Sequence, residues 1–273
     1  MSEGSGDSAF ADSLFGYGFL PQVELALLTR QGGRRYNEDA CGHWHSPHGL
    51  CCVVADGAGG HGGGQAASRL AVRSVLEAYA REPVAEVDAL RALLEQVNGE
   101  VIRHRADAYE QRDMHTTVVT LMVDLDRSRA IWGHVGDSRL YIFRQGEMLA
   151  HTRDHSAVQA MVESGLLRAE ELRTNPRRSE LYSALGTDPE YLKVSVVKRP
   201  WNVRVGDAFL MCTDGLWEWV DEVDISAALA RASTPADWLA RLEQLVLRNA
   251  RTAGKVEHDN FSGLALWVGQ SGG

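Results

Sequence analysis

The chain alternates short apolar runs with longer stretches of helical periodicity. Val23–Thr29 (VELALLT) reads as an opening strand. Leu50–Ala55 (LCCVVA) is wholly apolar and ends at turn residues, the pattern of a short buried strand. From Gln65 to Ala80 the apolar period lengthens. Ala67, Leu70, Ala71, Ser74, Val75 and Ala78 fall on one face, which predicts a helix. A second helix is predicted over Val84–Arg105, directly after Pro83. Strand signals return at Thr117–Val123, Ala130–Val135 and Leu140–Phe143. Arg144–Glu147 then predicts a hairpin turn into Met148–Ala150. Asp154–Gly165 predicts a helix capped by the aspartate and stopped by the glycine. Leu166–Ser183 is polar and charge-rich, a short helix and loop excursion. Tyr191–Val197 and Ala208–Cys212 read as strands, Pro235–Thr252 as a helix and Phe261–Val268 as the last strand.

The strands do not alternate with crossover helices, which disfavours a doubly wound parallel sheet. The order predicts an α+β fold, two mainly antiparallel sheets packed together and covered by helices. One domain is expected over residues 21–269, with a flexible N-terminal tail at 1–20 and a short C-terminal tail at 270–273.

Charge and composition narrow the partners. The 28 basic and 37 acidic residues leave a net charge of −9, which argues against a generally basic nucleic-acid surface. No apolar run approaches a membrane span, and MSEGSGDSAFADS lacks the basic-then-apolar pattern of a signal peptide. A monomer in the cytoplasm is the expectation, with neither nucleic acid nor membrane as partner. Cys41, Cys51, Cys52 and Cys212 form no CxxC pair and no zinc spacing. Adjacent in a strand, Cys51 and Cys52 must point to opposite faces, and all four read as small buried hydrophobes.

The candidate chemistry lies in five aspartates near strand ends: Asp39, Asp56, Asp137, Asp214 and Asp259. Asp56 stands in VVADGAGGHGGG, followed by six glycines in eight residues. A phosphate loop of the GxxxxGK[ST] type would need a lysine, and Gln65 follows instead. A single Asp-Gly is most often an ordinary turn. Five acids at the mouths of buried strands, without lysines and arginines nearby in matching number, are costly unless a cation offsets them. Hard oxygen donors suit magnesium or manganese. On the residues alone, turns and a metal centre both stay open.

Taken together, GGRRYNEDA (32–40), VVADGAGGHGGG (53–64), HTTVVTLMV (115–123), WGHVGDSRLYIFRQGE (132–147), TRDHS (152–156), LGTDPE (185–190), GDAFLMCTDGLWEWV (206–220) and HDNFSGLAL (258–266) resemble the metal-dependent serine/threonine protein phosphatases of the PP2C (PPM) type, especially compact bacterial members. The resemblance spans roughly residues 20–269 and rests on the order and number of its motifs. It implies a four-layer α/β/β/α sandwich. The implied activity is hydrolysis of phosphoserine and phosphothreonine on proteins by a metal-activated water at a binuclear Mn2+/Mg2+ centre, reversing a bacterial Ser/Thr kinase in signal transduction. By the same resemblance Asp56 bridges two ions and the carbonyl of Gly57 is a further ligand. Asp214 and Asp259 hold one ion, Asp39 holds the other, and Glu38 supports the hydration shell. Arg34 stands at the phosphate-binding arginine, Asp137 is the GDSR aspartate close to the metals, and Asn260 positions its loop. A third ion is implied, with Asp113 as candidate ligand. The excursion at Leu166–Ser183 takes the place of the family's flap. There Arg173, Arg177 and Arg178 read either as contacts for acidic phosphoproteins or as solvated charges.

Two departures stand out. Many animal members carry a proton-donating histidine two residues after the bridging aspartate, where this chain has Ala58; His61 lies at a different offset. In place of MGTT the chain reads Met114-His115-Thr116-Thr117, and His115 is expected to shape the strand entrance. Two alternatives remain: an inactive phosphoprotein-binding regulator, or a related phosphohydrolase acting on another substrate class.

Overall fold

The computed structural model describes residues 17–20, 23–59, 62–107, 113–255 and 257–269. Along the chain the strands are β1 (Tyr17–Leu20), β2 (Val23–Arg30), β3 (Asp39–Ser46), β4 (Gly49–Ala58), β5 (His115–Thr116), β6 (Val118–Asp124), β7 (Arg129–Val135), β8 (Arg139–Arg144), β9 (Glu147–His151), β10 (Ser195–Val196), β11 (Trp201–Asn202), β12 (Asp207–Cys212) and β13 (Phe261–Val268). The helices are α1 (Gly63–Arg81), α2 (Val87–Asp107), α3 (Ala157–Glu163), α4 (Asp214–Trp217), α5 (Glu222–Arg231) and α6 (Pro235–Thr252). One sheet runs β1-β2-β13-β12-β8-β9 and the other β10-β7-β6-β4-β3, with antiparallel pairing throughout.

Strand alternation explains the layers. On β2, Leu25 and Leu27 face the space between the sheets, where they meet Cys52, Val54, Leu121, Phe209 and Leu264. Ala26 and Leu28 face outward, into a second core with Trp238, Leu239, Leu242 and Val246 of α6 and Ile225 of α5. On β4, Cys51, Val53 and Ala55 face α1 and α2 through Ala67, Val75, Leu94 and Val97. Both sheets are thus buried on both faces, which is why their strands read as unbroken apolar runs. The result is the four-layer sandwich, helices outside two antiparallel sheets. Cys51 and Cys52 point into different cores, and all four cysteines are buried and free.

Some elements depart from the sequence reading. Inside the span read as a tail, residues 17–20 form β1 against β2; residues 1–16 lie outside the described part. The helix expected from Asp154 begins at Ala157, because Ser156 is the cap, its Oγ accepting from the Gln159 N–H at 3.2 Å. Asp154 is instead buried as the partner of Arg139. The strand expected over Tyr191–Val197 shrinks to Ser195–Val196, since Tyr191 and Leu192 turn back to the carbonyl of Asp188. β3 and α5 carry mixed polar patterns and escaped the periodicity argument. Among the described residues, no helix is long and apolar enough to cross a membrane.

Register brings the acids to one end. Asp39 lies directly opposite Asp56 in the β3–β4 pair. Cys212 at the end of β12 pairs with both Gly263 and Arg139, so Asp214, Asp259 and Asp137 flank the same end of the other sheet.

Candidate active site

Asp39 is buried, and its Oδ2 accepts from the Thr213 hydroxyl at 3.0 Å. Asp214 opens α4 directly after Thr213. The carboxyl groups of Asp56 and Asp214 lie within hydrogen-bond reach of each other. Asp39 Oδ1 and Asp214 Oδ1 are buried without a hydrogen-bond partner. Burial pushes the Asp39 carboxyl up to about 7, against the opposing hydroxyls of Ser262 and Thr213, with Asp214 and Asp259 adding repulsion. Asp214 is pushed up to about 6, first by burial and then by Glu218. Asp56 and Asp137 lie well above the carboxylate range, again by burial first and by Asp214 next. Crowded, buried like charges are unstable as anions unless a proton or cation joins them.

Among the described residues no three His, Cys, Asp or Glu side chains converge as a ready-made cage. The two orphaned oxygens and the neighbouring Asp56 carboxyl nevertheless supply oxygen donors, a chemistry that fits Mg2+ or Mn2+.

The glycine loop is shaped by close approach. A Cβ on Gly57 would sit 2.1 Å from the carbonyl oxygen of Gly64 and 2.7 Å from that of Glu38. At Gly59 it would sit 1.7 Å from the carbonyl oxygen of Asp113. Only glycine lets these backbones touch. The twin threonines hold Asp56 from behind. Asp56 N–H donates to Thr117 Oγ1 at 2.9 Å, and Thr116 Oγ1 donates to the Asp56 carbonyl at 2.9 Å. Thr117 Oγ1 also meets Ser138 Oγ at 2.6 Å, joining this support to the Asp137 turn.

Asn260 ties the loop of residues 31–38 to the site. Its Nδ2 donates to the carbonyls of Gln31 at 2.6 Å and Tyr36 at 3.0 Å, and its Oδ1 accepts from the Glu38 N–H at 2.8 Å. Burial raises the Glu38 carboxyl above its ordinary value. Arg34 is exposed at the mouth, and its Nη2 donates to Asp259 Oδ2 at 2.6 Å. Asp137 is buried, its carbonyl accepting from the Trp217 indole N–H at 2.9 Å. Asp113 is exposed, with only its carbonyl against the glycine loop. Asp39, Asp56, Asp137, Asp214, Asp259 and Glu38 therefore gather at one end of the sandwich. Thr213 and Trp217 were not singled out from sequence, although both stand within three residues of Asp214 in a motif that was.

Ala58 lies opposite His115 in the β4–β5 pair. His115 Nε2 accepts from Arg105 Nη1 at 3.3 Å, and Arg105 also donates to the Gly186 carbonyl at 2.9 Å. His61 lies outside the described residues. Each arginine of the excursion has a carboxylate of this chain as partner: Arg168 meets Glu171 at 3.2 Å, Arg173 meets Glu222 at 2.6 Å, Arg177 meets Glu180 at 2.7 Å, and Arg178 Nη2 meets Glu218 Oε2 at 2.9 Å.

Comparison with known proteins identifies the family. The chain is similar to the serine/threonine phosphatase stp of Listeria monocytogenes, 30% identical over 208 residues, 74% of this chain and 80% of that one. The crystal structure of the Mycobacterium tuberculosis serine/threonine phosphatase PstP/Ppp superposes with a TM-score of 0.78 at 27% identity, over 91% of this chain and 99% of that one. A structure of the PstP catalytic domain in complex with two manganese ions superposes with a TM-score of 0.76 at 26% identity, over 91% and 99%. The sequence profile of protein phosphatase 2C matches residues 30–256, most of the chain, and the protein belongs to that family of phosphatases.

Proposed function

We propose that this protein removes phosphate from phosphoserine and phosphothreonine in other proteins, with Mn2+ or Mg2+ as cofactor, and reverses a Ser/Thr kinase. The observation that carries the reading is the pair of orphaned carboxylate oxygens, Asp39 Oδ1 and Asp214 Oδ1, beside the Asp56–Asp214 contact. Asp39, Asp56, Asp214, Asp259 and the Gly57 carbonyl would hold two ions, with Glu38 in their hydration shell and Asp113 toward a third. Such ions, when bound, lower the pKa of water and offset charge on the phosphoryl group.

The chain's own residues do the rest. The Arg34 fork at the mouth can take two phosphoryl oxygens side by side. Asp137, close to Asp56 and Asp214, helps to set the geometry of the carboxylates. Ala58 cannot protonate the departing oxygen, so that proton comes from solvent or another residue. A thiol mechanism is disfavoured, since burial pushes the Cys41 thiol up to about 12 and raises Cys51, Cys52 and Cys212 as well.

The test is phosphate release from a phosphothreonine peptide with Mn2+, Mg2+ or chelator. Release with metal, lost with chelator and in a folded Asp214→Asn variant, is the expected result. No release from any phosphopeptide in Mn2+ overturns the reading. Peptide binding without turnover would instead mark an inactive regulator, and turnover of nucleotides alone would mark another substrate class.

A further inference from the structure

The turn that carries Asp137 is held on both sides of the aspartate, and the Gly136 carbonyl accepts from the His155 N–H at 3.0 Å. The Gly136 N–H donates to His155 Nδ1 at 3.2 Å. With Nδ1 accepting, the neutral ring carries its proton on Nε2 and donates it to Ser195 Oγ at 2.8 Å. His155 is buried and stacked on His134, with ring centroids 4.5 Å apart. On the other side, the Asp137 carbonyl accepts from Trp217 Nε1 at 2.9 Å. The Trp217 indole is buried against two guanidinium groups, Arg139 at 3.6 Å and Arg173 at 5.7 Å from the ring centroid. Trp217 also ends α4, the helix that Asp214 opens.

We infer that His155 and Trp217 are positioning residues for Asp137, and that through Ser195 and Arg173 they link its placement to the segment between His155 and Ser195, which includes the excursion at Leu166–Ser183. The inference rests on the functional reading above. Neither side chain need touch substrate. Gly136 has a φ of +97°, and a Cβ there would strike Thr117 Cγ2 at 2.6 Å, so the turn is wedged against the threonine that supports Asp56. A shift of the Asp137 turn would therefore be felt at Asp56 through the Ser138–Thr117 contact. Arg173, beside the same indole, donates to the Val220 carbonyl at 3.2 Å and to Glu222 at 2.6 Å.

Two variants test this. Trp217→Phe removes the indole N–H together with part of a buried bicyclic ring, so the melting measurement also records the lost packing. Ser195→Ala removes the partner of His155 Nε2 at a half-buried position. Manganese binding is read by calorimetry, kcat and KM on para-nitrophenyl phosphate by kinetics, and folding by thermal melting. Groups that orient ligands without binding the metal typically change metal affinity or activity about 10–100-fold when removed. The expected result is about tenfold weaker Mn2+ binding or lower kcat in Trp217→Phe, with KM little changed, and a smaller change of the same kind in Ser195→Ala. If a folded Trp217→Phe binds manganese and turns over as the wild type does, the inference fails. If that variant does not fold, Ser195→Ala decides alone, and wild-type values there overturn it. Should the wild type release no phosphate at all, the functional reading fails, and the calorimetric comparison still judges the positioning.

Discussion

Asp154→Asn isolates the charge of the most deeply buried ion pair described here. Arg139 and Asp154 expose 3% and 2% of their side chains and meet in a two-point fork, Nε to Oδ1 and Nη2 to Oδ2, both at 2.8 Å. The guanidinium also lies over Trp217 and donates to Tyr141 Oη at 3.0 Å. The variant keeps the shape of Asp154 but leaves Arg139 charged and largely uncompensated. Breaking a buried pair in this way costs about 3–5 kcal/mol. Glu222, 3.5 Å from Arg139 Nη1, retains some compensation and places the effect toward the lower bound. A loss of about 3 kcal/mol corresponds to a fall of about 6–12 °C in Tm for a chain of this size. The assay is thermal or urea unfolding beside Arg177→Ala, whose solvent-screened, exposed pair with Glu180 is expected to leave the midpoint nearly unchanged. Replacing both partners, Arg139→Met with Asp154→Leu, should cost less than Asp154→Asn alone, because no charge is then stranded. A fall of under about 2 °C for Asp154→Asn, or a double variant worse than the single one, would refute the reasoning.

Three further outcomes are expected. Burial lowers the His43 pKa from 6.5 to about 4, so below pH 6.5 the unfolded chain takes up a proton that the folded chain refuses. Stability should fall as pH drops from 6.5 toward 4, by about 1.4 kcal/mol per pH unit from this residue, and His43→Phe should flatten that slope in pH-dependent urea melts. Thr213→Val removes the donor to Asp39 Oδ2 and the acceptor for the Ser262 N–H at 2.9 Å, so chemical unfolding should show a loss of about 1–3 kcal/mol. Gly57→Ala drives a Cβ into the Gly64 backbone, and overpacking of this kind costs about 1–3 kcal/mol or more; melting and phosphate-release assays should both register it.

Local pattern was enough wherever the stabilising cause was local. α6 spans Pro235–Thr252 as read, since Pro235 and the Thr234 cap set its start and Trp238, Leu239, Leu242 and Val246 repeat on one face. β13 likewise runs Phe261–Val268 as read, a mainly apolar strand between two cores. β3 was illegible because DACGHWHS mixes apolar and polar residues and is a strand only where β4 pairs with it. α5 is short, and its cap is Asp221, accepting from the Asp224 N–H at 2.8 Å, inside a run of acids that gave no clear period.

The sequence by itself determined the chemistry available: oxygen donors at strand ends, glycines where backbones must touch, buried thiols and the order of motifs that marks the family. Tertiary structure decided which donors meet. Asp39 finds Asp56 through strand register and Thr213 across 174 residues, and Arg34 finds Asp259 across 225. It also assigned Asp154 to Arg139 rather than to a helix cap, and placed an indole and an imidazole on either side of Asp137. Periodicity reports which face of an element is apolar, but the pairing of polar groups depends on how two sheets and their loops close on each other. That closure is set by the whole core.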